Sequence, residues 1–197
     1  MRQTSLTLDS GLIGEEPAAV DSASSEKRLR ALVEAHYDFV WRSLRRLGVS
    51  AGDLDDGVQH VFLVASRKLA AIRPESERSF LYQTALRVAA DSRRTRKRRR
   101  EVVGDEVGEL PDHTPGAEDL MDLQRARARL DQILDRMSLE LRSVFTLFEL
   151  DQLTLTQIAA LLELPRGTVA SRLRRAREEF FDQAARLTAR GKNGDSP

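Results

Sequence analysis

Apolar residues in this chain recur at steps of three and four, and no stretch shows the apolar–polar alternation of a half-buried strand. That pattern restricts the chain to an all-α architecture. Leu29, Leu32, Val33, Tyr37, Val40, Trp41 and Leu44 form a first stripe, beginning at Glu26. The segment "GVSAGD" breaks it. A second helix runs through "DLDDGVQHVFLVASRKLAAI", with Leu54, Val58, Val61, Phe62, Ala65 and Leu69 on one side. "RPESERS" reads as a turn, because Pro74 lacks an amide hydrogen and turns the residue before it away from the helical region. The third helix, "FLYQTALRVAADSRRTRKRRR", sends Phe80, Leu81, Thr84, Ala85 and Val88 inward and its basic end outward. Three amphipathic helices with a common apolar face close a small core.

Charge divides the chain further. Residues 26–100 carry 18 basic and nine acidic side chains, residues 101–122 none and eight, and residues 123–197 13 and ten. Two positive blocks therefore flank a negative insert, although the formal net charge is only +1. Local positive fields attract polyanions whatever the global sum. The insert holds three glycines and two prolines in "EVVGDEVGELPDHTPGAEDL" and reads as a flexible acidic linker. The expected organisation is a mobile tail over residues 1–25, a helical domain over 26–100, the linker over 101–122, a second helical domain over 123–185, and a frayed end over 186–197. In the second domain, helical periodicity runs from Leu123 to Met137. Ser138 then caps a helix, "LELRSVFTLFEL", with its Glu140 and Arg142 side toward water.

Several function classes are disfavoured at once. There is no cysteine, hence no disulfide framework, thiolate metal site or cysteine nucleophile. His36, His60 and His113 are scattered, so no metal ligands and no cofactor are expected. No apolar run approaches the roughly 18 residues of a membrane span, and no secretory leader is evident. A cytoplasmic location is expected. No nucleophile has a base nearby in pattern, so no catalytic residue is assigned.

The stretch "LTQIAALLELPRGTVASRLRRAR" carries the sharpest functional signal. Thr154 or Thr156 can cap a short helix whose apolar side is Ile158, Ala159 and Leu162, and Leu164 is the peg of the turn. A second helix begins near Gly167–Thr168, with Val169, Leu173, Ala176 and Phe180 on one face. Arg166, Thr168, Ser171, Arg172, Arg174 and Arg175 are left on or beside the open face. A helix of this kind fits the major groove, where arginine contacts guanine or phosphate. A soluble helical hairpin with solvated arginines is the plainer alternative. Glu163 falls where the turn needs a left-handed residue, a conformation that costs a non-glycine residue about 1 kcal/mol.

Taken together, "HYDFVWRSLRRLG", "DLDDGVQHVFLVASRKL", "FLYQTALRVAADSRRTRKRR" and "LDRMSLELRSVFTLFELDQLTLTQIAALLELPRGTVASRLRRAR" resemble a bacterial RNA polymerase sigma factor of the sigma-70 family, in the extracytoplasmic-function group. The resemblance covers about residues 28 to 182. It implies a region 2-like bundle that binds core RNA polymerase and the −10 element, and a region 4-like helix-turn-helix that reads the −35 element. By resemblance, Asp56, Gln59 and Phe62 match a D-x-x-Q-x-x-F polymerase-binding pattern, with Asp55 beside them. The resemblance puts Arg73, Arg78, Phe80, Arg87, Arg93, Arg94, Arg96 and Lys97 at the −10 DNA. It makes Arg172 and Arg175 the leading −35 contacts. Promoter DNA and core polymerase are the implied partners. An anti-sigma protein is implied too, without a separate feature to mark it. Three positions depart from the family pattern: His60 replaces an acid, Glu163 the turn glycine, and Ala170 a basic residue. A promoter-binding regulator that is not a sigma factor, and a sigma-mimicking interaction module, are the competing readings.

Overall fold

A computed structural model describes residues 17–103 and 118–193, with side chains for 23–99 and 124–187. Seven α-helices are present among the described residues: α1 (Pro17–Arg46), α2 (Leu54–Arg67), α3 (Glu77–Val103), α4 (Glu118–Arg136), α5 (Leu139–Phe145), α6 (Leu155–Leu162) and α7 (Arg166–Asn193). No strand occurs among them.

The first three helices pack on one another through the stripes read from the sequence. All six positions of the second stripe are buried, from Val61 and Ala65 at 0% to Phe62 at 9% exposure, five of them on α2 and Leu69 just after it. Two refinements concern the other stripes. Tyr37 lies outside the core at 43% exposure, and Tyr82, not in the expected α3 stripe, is buried at 1%. A short 3-10 turn, Pro74–Ser76, delivers the chain into α3 with Arg73 extended before the proline.

Helix boundaries differ from the sequence expectation at several places, and α2 ends at Arg67 rather than Ile72, with a 3-10 turn over Leu69–Ala71 after it. Helix α1 begins at Pro17 rather than Glu26, shortening the expected tail. Proline is preset for the first helical position, and Ala18 and Ala19 favour the helix that follows. Helix α3 runs to Val103 and α4 starts at Glu118, so both take residues from the expected linker. Helix α7 extends through Asn193, into the stretch expected to fray. Residues 1–16, 104–117 and 194–197, including most of the acidic linker, lie outside the described residues.

Ser138 caps α5, accepting from the Leu141 amide. The helix then widens into a π-helical turn over Thr146–Leu150. Thr154 caps α6 in a reciprocal box with Gln157, worth about 1 kcal/mol. Leu134, Met137, Leu141, Phe145 and Ala176 tie α4, α5 and α7 together, and the Phe145 and Phe180 rings stack at 4.8 Å. Val144, Leu147, Ile158, Leu161, Leu162, Val169 and Leu173 belong instead to the same continuous core as α1–α3. The two helical modules thus follow each other in sequence and share apolar interior.

Candidate nucleic-acid and polymerase interfaces

Helices α6 and α7 form a helix-turn-helix. Val169, Leu173 and Ala176 are buried at 0%, 5% and 0%, and Ile158 and Leu162 meet them from α6. Leu164 is only half-buried. Glu163 has φ 55° and ψ 41°, in the left-handed region anticipated for it. Helix α7 starts at Arg166, one residue ahead of the Gly167 start read from the sequence. Arg166, Ser171, Arg174 and Arg175 are exposed, while Thr168 and Arg172 are half-buried. Arg174 pairs with Glu178 at 2.8 Å and Arg172 reaches Glu140 at 3.3 Å. An apolar groove of about 430 Å³ lies beside this face, walled by Leu155, Leu173, Arg177 and Phe181. Phe181 is 67% exposed there.

On α2, Asp55, Asp56, Gln59 and His60 are all exposed. Phe62 points into the core, so the structure separates it from Asp56 and Gln59, the two polar residues with which the motif groups it. Its neighbour Leu63, at 46% exposure, is the large apolar side chain on the outer face. Sequence reasoning passed over Leu63, although the α2 stripe itself leaves position 63 outside.

The residues expected at −10 DNA do not form one surface. Arg73, Arg78, Arg87, Arg94 and Lys97 are exposed, and Phe80 is half-buried. Arg78 lies 4.4 Å over the Phe39 ring, and Arg94 pairs with Asp91 one turn back. Phe80 and Arg87 line a cavity of about 180 Å³ together with Ile72, Ser76, Gln83 and Glu163. Arg93 and Arg96 face the second module instead. Arg93 donates to the backbone oxygens of Asp135 (3.0 Å) and Met137 (2.8 Å), and Arg96 donates to the Gly48 carbonyl and lies 3.7 Å from the Asp135 carboxylate.

That junction contains a residue the sequence placed wrongly. Arg142, expected toward water, is 1% exposed. Its Nε donates to the Arg46 carbonyl (2.5 Å) and its Nη1 to Asp135 Oδ1 (2.6 Å). Burial pulls the guanidinium below arginine's ordinary value, and the Asp135 hydrogen bond opposes that shift. The arrangement follows from helix ends. The last carbonyls of a helix have no partner within it. Arg142 serves the end of α1, Arg93 the end of α4, and Ser79 and Gln83 the end of α6, through Leu161 O (3.0 Å) and Leu162 O (2.8 Å). Each module therefore completes helices of the other. Burial pushes the Tyr82 phenol well above the ordinary tyrosine range, and the neighbouring Thr146 hydroxyl opposes that shift. Arg46 and Asp151 form a further ion pair between the modules.

Among the described residues no helix is long and apolar enough to cross a membrane, and no cluster of acidic and histidine side chains is arranged to hold a metal.

Comparison with known proteins identifies both modules. The sequence profile of Sigma-70 region 2 matches residues 32–99, and that of Sigma-70, region 4 matches residues 127–180. The ECF RNA polymerase sigma-E factor of Escherichia coli (strain K12) is 31% identical over 168 residues, covering 81% of this chain and 88% of that protein. The ECF RNA polymerase sigma factor SigE of Mycolicibacterium smegmatis is 29% identical over 156 residues, covering 79% of this chain. The match spans 61% of that relative's length. The fold resembles CnrH in its complex with the cytosolic domain of CnrY, with TM-score 0.58, 23% identity, and coverage of 91% of this chain and 96% of that one. It also resembles the sigma factor RpoE in complex with the anti-sigma factor NepR from Bartonella quintana, with TM-score 0.56, 19% identity, and coverage of 81% and 96%.

Proposed function

The chain belongs to the sigma-70 family of RNA polymerase sigma factors, in the extracytoplasmic-function group, and from that premise we propose that it joins core RNA polymerase and directs it to promoters for transcription initiation. The observation that carries this reading is the outer face of α7. Arg166, Arg174 and Arg175 stand exposed above the buried Val169, Leu173 and Ala176, behind a short capped α6. That is the geometry of a recognition helix, whose first turns meet base edges and phosphates in the major groove. Arg166, Thr168, Ser171, Arg172, Arg174 and Arg175 are assigned to −35 DNA on this basis.

The domain limits proposed are residues 26–100 for the region 2-like module and 123–185 for the region 4-like module. In the first, Asp55, Asp56 and Gln59 present a polar, acidic face suited to a basic partner, and this face is assigned to core polymerase. Phe62 supports it from beneath by fixing α2 on the core. Arg73, Arg78, Phe80, Arg87, Arg93, Arg94, Arg96 and Lys97 are assigned to the −10 DNA. Strand separation is then driven by binding: capture of an unpaired base offsets unstacking, which costs a few kcal/mol per step. Positive charge along α3 holds the opened strand through its phosphates.

No covalent step is assigned to the chain, so it acts as a specificity subunit rather than as an enzyme, and its site of action is the cytoplasm. In the two similar structures CnrH is bound by the cytosolic domain of CnrY, and the sigma factor RpoE by the anti-sigma factor NepR. An anti-sigma protein is proposed as a partner here on that likeness. Transcription in vitro, with purified core polymerase and fragments of the source genome, tests the function. Defined transcripts that require this chain are expected, and their absence on all fragments overturns the reading.

A further inference from the structure

Between α2 and α3 the chain passes through two short 3-10 turns, Leu69–Ala71 and Pro74–Ser76. Carbonyls at such a helix exit need donors from elsewhere, and α1 supplies them. Arg28 Nη1 donates to Leu69 O at 2.9 Å, and Arg28 Nη2 donates to Ile72 O. One guanidinium thus spans the first turn from its first residue to the residue after its last. The same Nη2 lies 3.6 Å from Glu77 Oε1, on the first residue of α3. His36 Nε2 lies 3.6 Å from the other Glu77 oxygen. The Glu77 side chain is only 19% exposed, so water screens this meeting weakly. One residue further on, Arg78 lies 4.4 Å over the Phe39 ring, which packs 6.1 Å from the buried ring of Tyr82.

Arg28, His36 and Phe39 fall within roughly 80° of arc on α1. A single face of that helix therefore holds the crossing at its start, at its end and at Arg78. The second turn is tied within itself, because the Ser76 amide and hydroxyl both donate to Arg73 O at 3.0 Å. The Arg73 and Arg78 side chains are left exposed.

We propose that Arg28 is a positioning residue for promoter reading: by gripping the Leu69 and Ile72 carbonyls together with Glu77, it sets where Arg73 and Arg78 meet DNA. This rests on the assignment of Arg73 and Arg78 to the −10 DNA. Arg28 itself touches no base. It precedes residues 32–99, the stretch matched by Sigma-70 region 2, so the grip lies outside that match. The guanidinium is suited to the task because its planar fork reaches two carbonyls at once, whereas an ammonium is a point charge. Attraction to phosphate changes slowly with distance, while a base contact is lost on a displacement of about 1 Å. A loosened crossing therefore keeps much of its affinity for DNA and loses discrimination between bases.

Arg28→Lys keeps the positive charge opposite Glu77 and removes the fork. Amide exchange of the full chain without polymerase reads the grip. Ala71, Ile72 and Ser76, whose amides bond within the two turns, are expected to exchange about tenfold faster. Val58 and Val61 on α2 should keep their rates. Unchanged rates in the crossing, or an equal acceleration on α2, overturn the proposal. Transcription with core polymerase reads the positioning, on a promoter found among the genomic fragments. Preference for the parent template over single-base changes in its −10 element should fall about fivefold, with preference at the −35 element kept. A chain that is merely less stable lowers every template alike, so an unaltered −10 preference, or an equal loss at both elements, overturns the proposal. If the unaltered chain initiates on no fragment, the function reading fails and the positioning role with it, whereas the exchange rates still decide the grip.

Discussion

The guanidinium of Arg142 lies directly on Gly48, so close that a Cβ there would stand 2.7 Å from Nη1 and 2.9 Å from Cζ. Gly48 also has φ +93°, a conformation strained for any L side chain. The turn that ends α1 and the arginine that closes the two modules therefore depend on the same missing methyl group. Gly48→Ala is expected to cost about 2–3 kcal/mol, combining backbone strain with displacement of a buried group. Urea unfolding of the full chain measures it, and an unchanged midpoint rules out the seat described for Arg142.

Tyr82 gives the junction a pH limit. Its folded pKa is raised by burial, so the native state holds the phenolic proton more tightly than the unfolded chain does. Its stabilisation is complete below the unfolded value of about 10 and declines as pH rises above it. An alkaline loss of stability beginning near pH ~10 is expected, and Tyr82→Phe should flatten it. Thermal melts of both proteins across the alkaline range check this. An equally steep decline in the phenylalanine variant assigns the effect elsewhere.

Gln152, at φ 54°, is a second non-glycine residue in the left-handed region, in the turn before α6. Unlike Glu163, it is not part of the α3 contact. Gln152→Gly is expected to stabilise the fold by about 0.5–1 kcal/mol, or about 1–4 °C in the melting midpoint. A lower midpoint would show that the side chain compensates for its backbone.

The α7 arginines are expected to differ in their effect on duplex binding. Arg166→Ala and Arg175→Ala should each lower affinity and reduce the slope of log affinity against log salt by about one, if each residue neutralises one phosphate. Arg174 already pairs with Glu178 on the solvent face, so Arg174→Ala should change the slope less. Titrations of a promoter duplex at several salt concentrations separate these cases.

On the outer face of α2, Asp56→Arg should abolish association with core polymerase while leaving the melting point unchanged. The side chain is exposed, and surface substitutions of this kind usually alter stability by no more than about 0.5 kcal/mol. Gel filtration with core enzyme, next to a melt, tests both halves. Retained association assigns the contact to another face.

What the sequence revealed depended on how local the cause was. The α2 stripe was legible because every buried position sits on one helical face. The conformation of Glu163 was legible because helix-turn-helix geometry fixes the turn wherever the flanking apolar pattern is strong. Arg142 was not legible. As a charged residue it reads as solvent-facing beside Glu140, although the two stand about 200° apart on the wheel of α5. Its acceptor is the carbonyl of Arg46, 96 residues away, and a backbone oxygen has no sequence signature. Tyr82 escaped notice for the same reason, since the second module provides its cover. Phe62 shows the converse. Its place in a motif suggested a surface role, while its place in the stripe buries it.

The 96-residue separation between Arg142 and Arg46 also sets an order of events during synthesis. Helices α1 to α3 leave the ribosome first, with the end of α1 still bare. At about 5–20 residues per second, Arg142 follows the end of α3 roughly 2–8 s later. For that interval the nascent chain carries a folded amino-terminal bundle whose acidic and basic faces are uncovered. A newly made molecule can therefore meet the transcription machinery before it first closes on itself.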